Sequence, residues 1–188
     1  MPELNSLLAD LLSGDESRGE AAVPGLAALG EEARAALLEA ADSESADQRW
    51  WAVRALAEAA PGELIQFLKD PAPEVRQAAA LGLGASADGR SVPALIEALY
   101  DEDSMVGSLA SNALVKAGQE AVPALLEVLK SAPQAVRIHA LRALIELKDH
   151  RAIPAMLQMA GEDSAVISHW AQVGLERLGL NMIYIKPT

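Results

Sequence analysis

The chain has 188 residues, a formal net charge of −12 and no cysteine, so disulfides, thiolate metal sites and cysteine nucleophiles are excluded together. Half of it is hydrophobic but only six residues are aromatic, and the Ala- and Leu-rich remainder favours helices over strands. The acidic balance argues against nucleic acid, whose backbone is bound by displacing counterions with Lys and Arg.

The charge is uneven. Residues 1–48 hold eleven acids against Arg18 and Arg34, a net of −9, whereas residues 49–188 hold sixteen acids against thirteen bases. No apolar run approaches the roughly 18 residues that span a bilayer. The start "MPELNSLLADLLSGDE" is acidic where a signal peptide is basic, so a soluble cytoplasmic protein with no membrane partner is expected.

Hydrophobic period and capping residues predict twelve antiparallel helices in chain order: 3–13, 16–29, 31–41, 46–59, 61–69, 73–85, 89–100, 104–117, 119–130, 134–147, 150–160 and 164–178. In the first, Leu4, Leu7, Leu8, Leu11 and Leu12 form one apolar face, as expected of a helix capping an exposed end. Pro24 and Gly25 fall inside the second and predict a kink or split there.

Two phrases alternate along these helices. "VPALIEAL" from Val92 returns as "VPALLEVL" from Val122 and as "IPAMLQMA" from Ile153, placing Pro93, Pro123 and Pro154 at spacings of 30 and 31. "GEEARAALLEAADS" from Gly30 and "PGELIQFLKD" from Pro61 continue the frame upstream. The other phrase reads "VRQAAALGL" from Val75, "VGSLASNAL" from Val106, "VRIHALRAL" from Val136 and "ISHWAQVGL" from Ile167. Its last leucines, with upstream equivalents, are Leu26, Leu56, Leu83, Leu114, Leu144 and Leu175. Val75, Ala79 and Leu83 lie at i, i+4 and i+8, a helical period. Openings such as "DPAPEV", "DEDSMV" and "SAPQAV" supply N-capping groups or a first-turn proline.

A helix pair repeated every 30 residues predicts an all-α superhelix of stacked pairs. With "DPAPEVRQAAALGLG" and "VPALIEAL" in order, the chain resembles the HEAT repeat family over about residues 15–178. It is most similar to the short repeats of phycobilisome bilin lyases and bacterial scaffolds. One domain is expected over 1–188: an N-terminal cap helix at 1–14, the repeats over 15–178 and a C-terminal tail or cap over 179–188. It also implies Asp–Arg pairs six residues apart that bridge neighbouring repeats. Asp70 and Arg76 match both positions, whereas Asp101 precedes Gly107, and Ser43 and Ser131 precede Arg49 and Arg137. The polar ladder is therefore expected to be incomplete, with most cohesion coming from Leu, Val and Ala.

Residues at equivalent positions stack on one surface about 10 Å apart. Four residues after the proline position, the chain carries Glu39, Gln66, Glu97, Glu127 and Gln158, a polar stripe. In the family the second helix of each pair lines the concave side. The resemblance implies that the stripe lines a partner-binding groove with Phe67, Ala98, Val128 and Met159 beside it; a solvent-facing helix position favours Glu and Gln equally well without a partner. Trp50 and Trp51 point about 100° apart on one helix, so Trp51 is expected inside, and Trp50 either partly exposed as a contact for a partner or sister subunit or partly buried against the preceding acidic loop. The histidines are followed by Ala140, Arg151 and Trp170, unlike the paired "HE" of iron-binding HEAT-type hydroxylases. His139 is expected to pack between repeats.

The apolar tail Met182, Ile183, Tyr184, Ile185 either caps the last helix or docks as a strand on another chain. No catalytic residue, metal or cofactor is expected. The reading is a non-catalytic scaffold binding another protein by a basic or polar segment. The alternative, from the repeat type alone, is a subunit of a bilin lyase or isomerase.

Overall fold

A computed structural model describes residues 2–180. The tail Met182–Ile185 lies outside the described residues. All twelve expected segments are helical: eleven α-helices and one 3-10 helix, Pro61–Lys69, with two short 3-10 turns leading into later helices. Backbone contacts divide the chain into two compact units, Met1–Ser86 and Ala87–Thr188.

The first unit contains α1 (Pro2–Leu11), α2 (Glu16–Leu29), α3 (Glu31–Ala40), α4 (Ala46–Ala59), the 3-10 helix and α5 (Pro73–Ser86). Helices α2, α4 and α5 each carry a leucine of the repeat series and stack in that order, while α3 and the 3-10 helix pack against α4 and α5. The starts follow the sequence chemistry. Asp15 accepts the Arg18 N–H at 3.0 Å, Ser45 accepts that of Gln48, and Asp70 accepts that of Ala72 at 2.8 Å before α5. The repeat leucines Leu26 and Leu56 are fully buried and Leu83 nearly so, with Val75 and Ala79 beside it.

α1 lies on α2. Leu11 is fully buried, while Leu4, Leu7, Leu8 and Leu12 are half-buried. Gly25 makes the approach possible, because a Cβ there would stand 2.9 Å from Leu7 Cδ2. α2 is not split at Pro24 but continues to Leu29. Pro24 is exposed, and buried Ala22, Val23 and Leu26 fasten the helix on either side. Packing therefore outweighs the missing N–H, which costs about 3 kcal/mol in an unsupported helix.

The second unit contains α6 (Val92–Ala98), α7 (Ser104–Ala117), α8 (Val122–Ser131), α9 (Gln134–Leu147), α10 (Ile153–Ala160) and α11 (Ala165–Arg177). α7, α9 and α11 stack, and α6, α8 and α10 pack against α7, α9 and α11 respectively. Pro93, Pro123 and Pro154 stand in the first turns of α6, α8 and α10, where a missing N–H costs nothing. Leu114, Leu144 and Leu175 are fully buried, completing the series. Gly118 turns the chain out of α7 with a φ of 74°, as Gly30 does after α2 with 51°. Lys148 occupies the equivalent corner after α9 with a φ of 52°.

Candidate functional site

The polar stripe is on the surface as the repeat frame requires. Glu39 and Gln66 are exposed on α3 and the 3-10 helix of the first unit, and Glu97, Glu127 and Gln158 are exposed on α6, α8 and α10 of the second. Gln66 donates to Glu63 Oε2 at 3.2 Å. Glu127 pairs with Lys130, one turn along α8, at 2.6 Å. Both members of that pair are largely in solvent, so its strength is modest.

In the second unit Glu127 and Gln158 meet at one surface hollow of about 480 Å³, together with the charged side chains Lys130, Arg137, Arg151 and Glu162. Arg137 pairs with Glu162. Arg151 is fixed by Asp149 at 2.7 Å and by Gln119 Oε1 at 2.8 Å. The Arg151 hydrogen bonds hold the Asp149 carboxyl below the usual carboxylate range, against the opposing effect of burial. The hollow thus presents acids and bases already set in fixed pairs.

The apolar neighbours of the stripe stand differently from the expectation. Ala98 and Val128 are buried, so they support their helices from beneath and offer no open groove surface. Their positions turn toward the following α7 and α9, where burial of apolar area is the stronger demand. Met159, 3% exposed, forms part of the hollow's floor. Phe67 is half-buried, and Leu157 next to Gln158 is the exposed apolar side chain of α10.

Trp51 is buried and Trp50 half-buried, as their 100° separation predicts. Gly19 on α2 seats Trp51, since a Cβ there would lie 2.9 Å from the indole. The two indoles meet edge to face with centroids 4.8 Å apart, an arrangement favoured by the ring quadrupoles. A hollow of about 540 Å³ opens beside them, lined also by Gly14, Glu16, Ala46, Asp47 and Glu74.

His139 packs between α7 and α9: its Nε2 would stand 3.1 Å from a Cβ on Gly107. Its buried Nδ1 has no hydrogen-bond partner among the described residues. Burial first, and then the charge of Arg142, lower its pKa and keep the ring neutral. Among the described residues no group of three or more His, Asp or Glu is placed to hold a metal ion. No described helix is long and apolar enough to cross a membrane.

Sequence reasoning missed a contact in the second unit, where the Arg142 guanidinium sits over the Trp170 ring, 5.8 Å from its centroid. The signal for it is spacing across repeats: Arg142 and Trp170 lie 28 apart, about one repeat less a half turn.

Stacked helix pairs with a repeat-wise leucine core and an exposed polar position in every pair define a helical repeat protein of the α-solenoid type. The HEAT repeat model matches residues 61–135 and 116–176. The chain belongs to the HEAT repeat family.

Among solved structures it is similar to the complex of CpcE and CpcF of phycocyanin lyase from Nostoc sp. PCC7120. That match has 26% identity, a TM-score of 0.60, and coverage of 76% of this chain and 98% of the other. A designed armadillo repeat protein in complex with the peptide (KR)4 matches at 19% identity and a TM-score of 0.51, over 94% and 99% of the two chains. The Escherichia coli protein YibA matches at 18% identity and a TM-score of 0.58, over 95% and 71%. The last two likenesses show the fold. No curated protein matches the chain.

Proposed function

We propose that the protein is a non-catalytic binding scaffold, and that in its second unit a basic or polar segment of a partner protein lies across α6, α8 and α10. The observation that carries this reading is the meeting of Glu127 and Gln158 at one hollow, with Glu97 exposed at the equivalent position of α6. Glu39 and Gln66 repeat the same chemistry in the first unit. Acids and amides at one-repeat spacing suit an extended chain, whose donors recur regularly, and helical repeat proteins use such surfaces for binding. The designed armadillo protein, in complex with (KR)4, is a repeat protein holding a basic peptide.

Affinity capture from the source cell tests the proposal, using the wild type beside Glu97→Lys/Glu127→Lys. A partner retained by the wild type should be lost by the double variant, whose helical circular dichroism should stay unchanged. Equal retention by a folded double variant moves the site off these helices.

A second reading, a subunit of a bilin lyase or isomerase, is favoured by the 26% identity to the CpcE–CpcF complex. Its test is direct: bilin mixed with the purified protein should change its visible absorption. An unchanged spectrum at saturating protein removes this reading and leaves the scaffold reading untouched.

A further inference from the structure

The hollow beside Trp50 contains none of the stripe residues and needs its own account. It is built by the first turns of three stacked helices. Glu16 opens α2, Ala46 and Asp47 open α4, and Glu74 follows the first residue of α5. Each carboxylate suits the positive end of its own helix. That explains each acid singly but not the indole among them, which occupies the position filled by Gln77, Ser108 and Ile138 in other repeats.

The electrostatics of the hollow are one-sided. Among the described residues three acids line it and no Lys or Arg does. The arginines of α4 are committed elsewhere, Arg49 to Asp70 and Arg54 to Glu58 and Glu20. Acids of one sign around an apolar wall focus the field in the opening, and the net of −9 over residues 1–48 adds attraction at longer range. Trp51, itself seated by Gly19, meets the Trp50 indole edge to face and packs against it. A half-buried indole that lines the same hollow as three carboxylates suits a cation, which an aromatic face attracts and whose remaining donors the acids accept.

We infer that this hollow is a second docking site, independent of the polar stripe, which takes a lysine- or arginine-bearing segment of a partner protein. The cationic head seats on Trp50 among Glu16, Asp47 and Glu74, and the partner's backbone passes outside, where the hollow is open to solvent.

The probe is an alternating lysine–arginine octapeptide titrated into the full chain carrying 15N-labelled tryptophan, with the Trp50 indole signal assigned from its loss in Trp50→Phe. The Trp50 signal should move saturably, and the Trp170 signal should stay in place. Trp50→Leu should weaken binding at least about tenfold, and Trp50→Phe, which keeps a π-face, by less than about threefold. Glu16→Gln/Asp47→Asn/Glu74→Gln, which leaves both indoles in place, should weaken it as much as Trp50→Leu and decides the matter should Trp50→Leu unfold. Glu97→Lys/Glu127→Lys should leave the Trp50 shift intact, so failure of the stripe reading is seen separately. A stationary Trp50 signal, or wild-type affinity in the folded triple variant, overturns the inference.

Discussion

Arg49 grips the carboxylate of Asp70 through two hydrogen bonds, Nε to Oδ2 at 2.8 Å and Nη2 to Oδ1 at 2.9 Å. The same guanidinium donates from Nη1 to the carbonyl oxygens of Ser43 and Glu44, at 2.9 and 3.1 Å. Asp70 Oδ1 also receives the Ala72 N–H. The pair thus ties the loop before α4 to the loop before α5, with side chains only 12% and 6% exposed. Arg76 repeats half of the pattern by donating to the carbonyls of Asp70 and Pro71. In the second unit Arg137 reaches Glu162, 25 residues on.

Removing Asp70 from so enclosed a pair leaves the Arg49 charge without its carboxylate, held only by the carbonyls of Ser43 and Glu44. Asp70→Ala is expected to lose about 3 kcal/mol in urea unfolding at neutral pH. The pH dependence has a definite sign. Burial pushes the Asp70 carboxyl up, but the hydrogen bonds from Arg49 and Ala72 and the charges of Arg49 and Arg76 outweigh it and hold the pKa below the ordinary value. A depressed carboxylate stabilises fully above its unfolded pKa of about 3.9 and loses that contribution as pH falls through the folded value. The gap between wild type and Asp70→Ala should therefore be constant above about pH 5 and close below about pH 4.

That bridge marks the limit of what the sequence made legible. The repeat, its helix pairs and the six buried leucines are visible because period and apolarity are local properties of the chain. The ladder implied by the resemblance joins residues six apart, as Asp70 and Arg76 are, whereas Arg49 uses a backbone carbonyl of its own repeat and a carboxylate of the next. A carbonyl is present at every position, so Ser43 serves where an aspartate was expected, and composition cannot reveal it. Pro24 misled for the opposite reason: its local cost is legible, and the packing of Ala22, Val23 and Leu26 that outweighs it is not. Of the candidate contacts, the exposure of the five stripe residues and of Trp50 follows from helical phase. The acids around Trp50 come from three helix starts, at Glu16, Asp47 and Glu74, whose convergence only the stacking creates.

Two glycines of α5 separate packing from propensity. A Cβ on Gly82 would lie 2.6 Å from Leu64 Cδ1 and 2.8 Å from Ala57 Cβ, while one on Gly84 would meet nothing within 4 Å. Leu64 can turn away, but Ala57 Cβ is fixed to its backbone. Gly82→Ala gains about 1 kcal/mol of helix propensity and loses about 1–3 kcal/mol to overpacking, so it should be neutral to destabilising by about 2 kcal/mol. Gly84→Ala should keep most of the gain. Urea midpoints of the two single variants, read against the wild type, check the contrast; equal shifts would mean that α5 does not approach α4 as closely as described.

His139 gives the fold a weakness on the acid side of neutrality. Its ring lies between α7 and α9 against Gly107, its buried Nδ1 has no hydrogen-bond partner among the described residues, and Arg142 faces it with a like charge when it protonates. Burial and Arg142 lower its pKa in the folded state, so between the folded and unfolded values the unfolded chain binds more protons. Stability is then complete above the unfolded value of about 6.5 and falls as pH drops toward the folded one. Leu109 fills the equivalent position one repeat earlier, which makes His139→Leu the informative change. It removes an unsatisfied buried nitrogen, worth about 1 kcal/mol at neutral pH, and it removes the titration. His150 and His169 are both exposed and are unchanged in the variant. Urea unfolding at about pH 7.5 and about pH 5.5 should show the variant ahead at both, and further ahead at the lower pH. An unchanged difference between the two would place the His139 ring in contact with solvent.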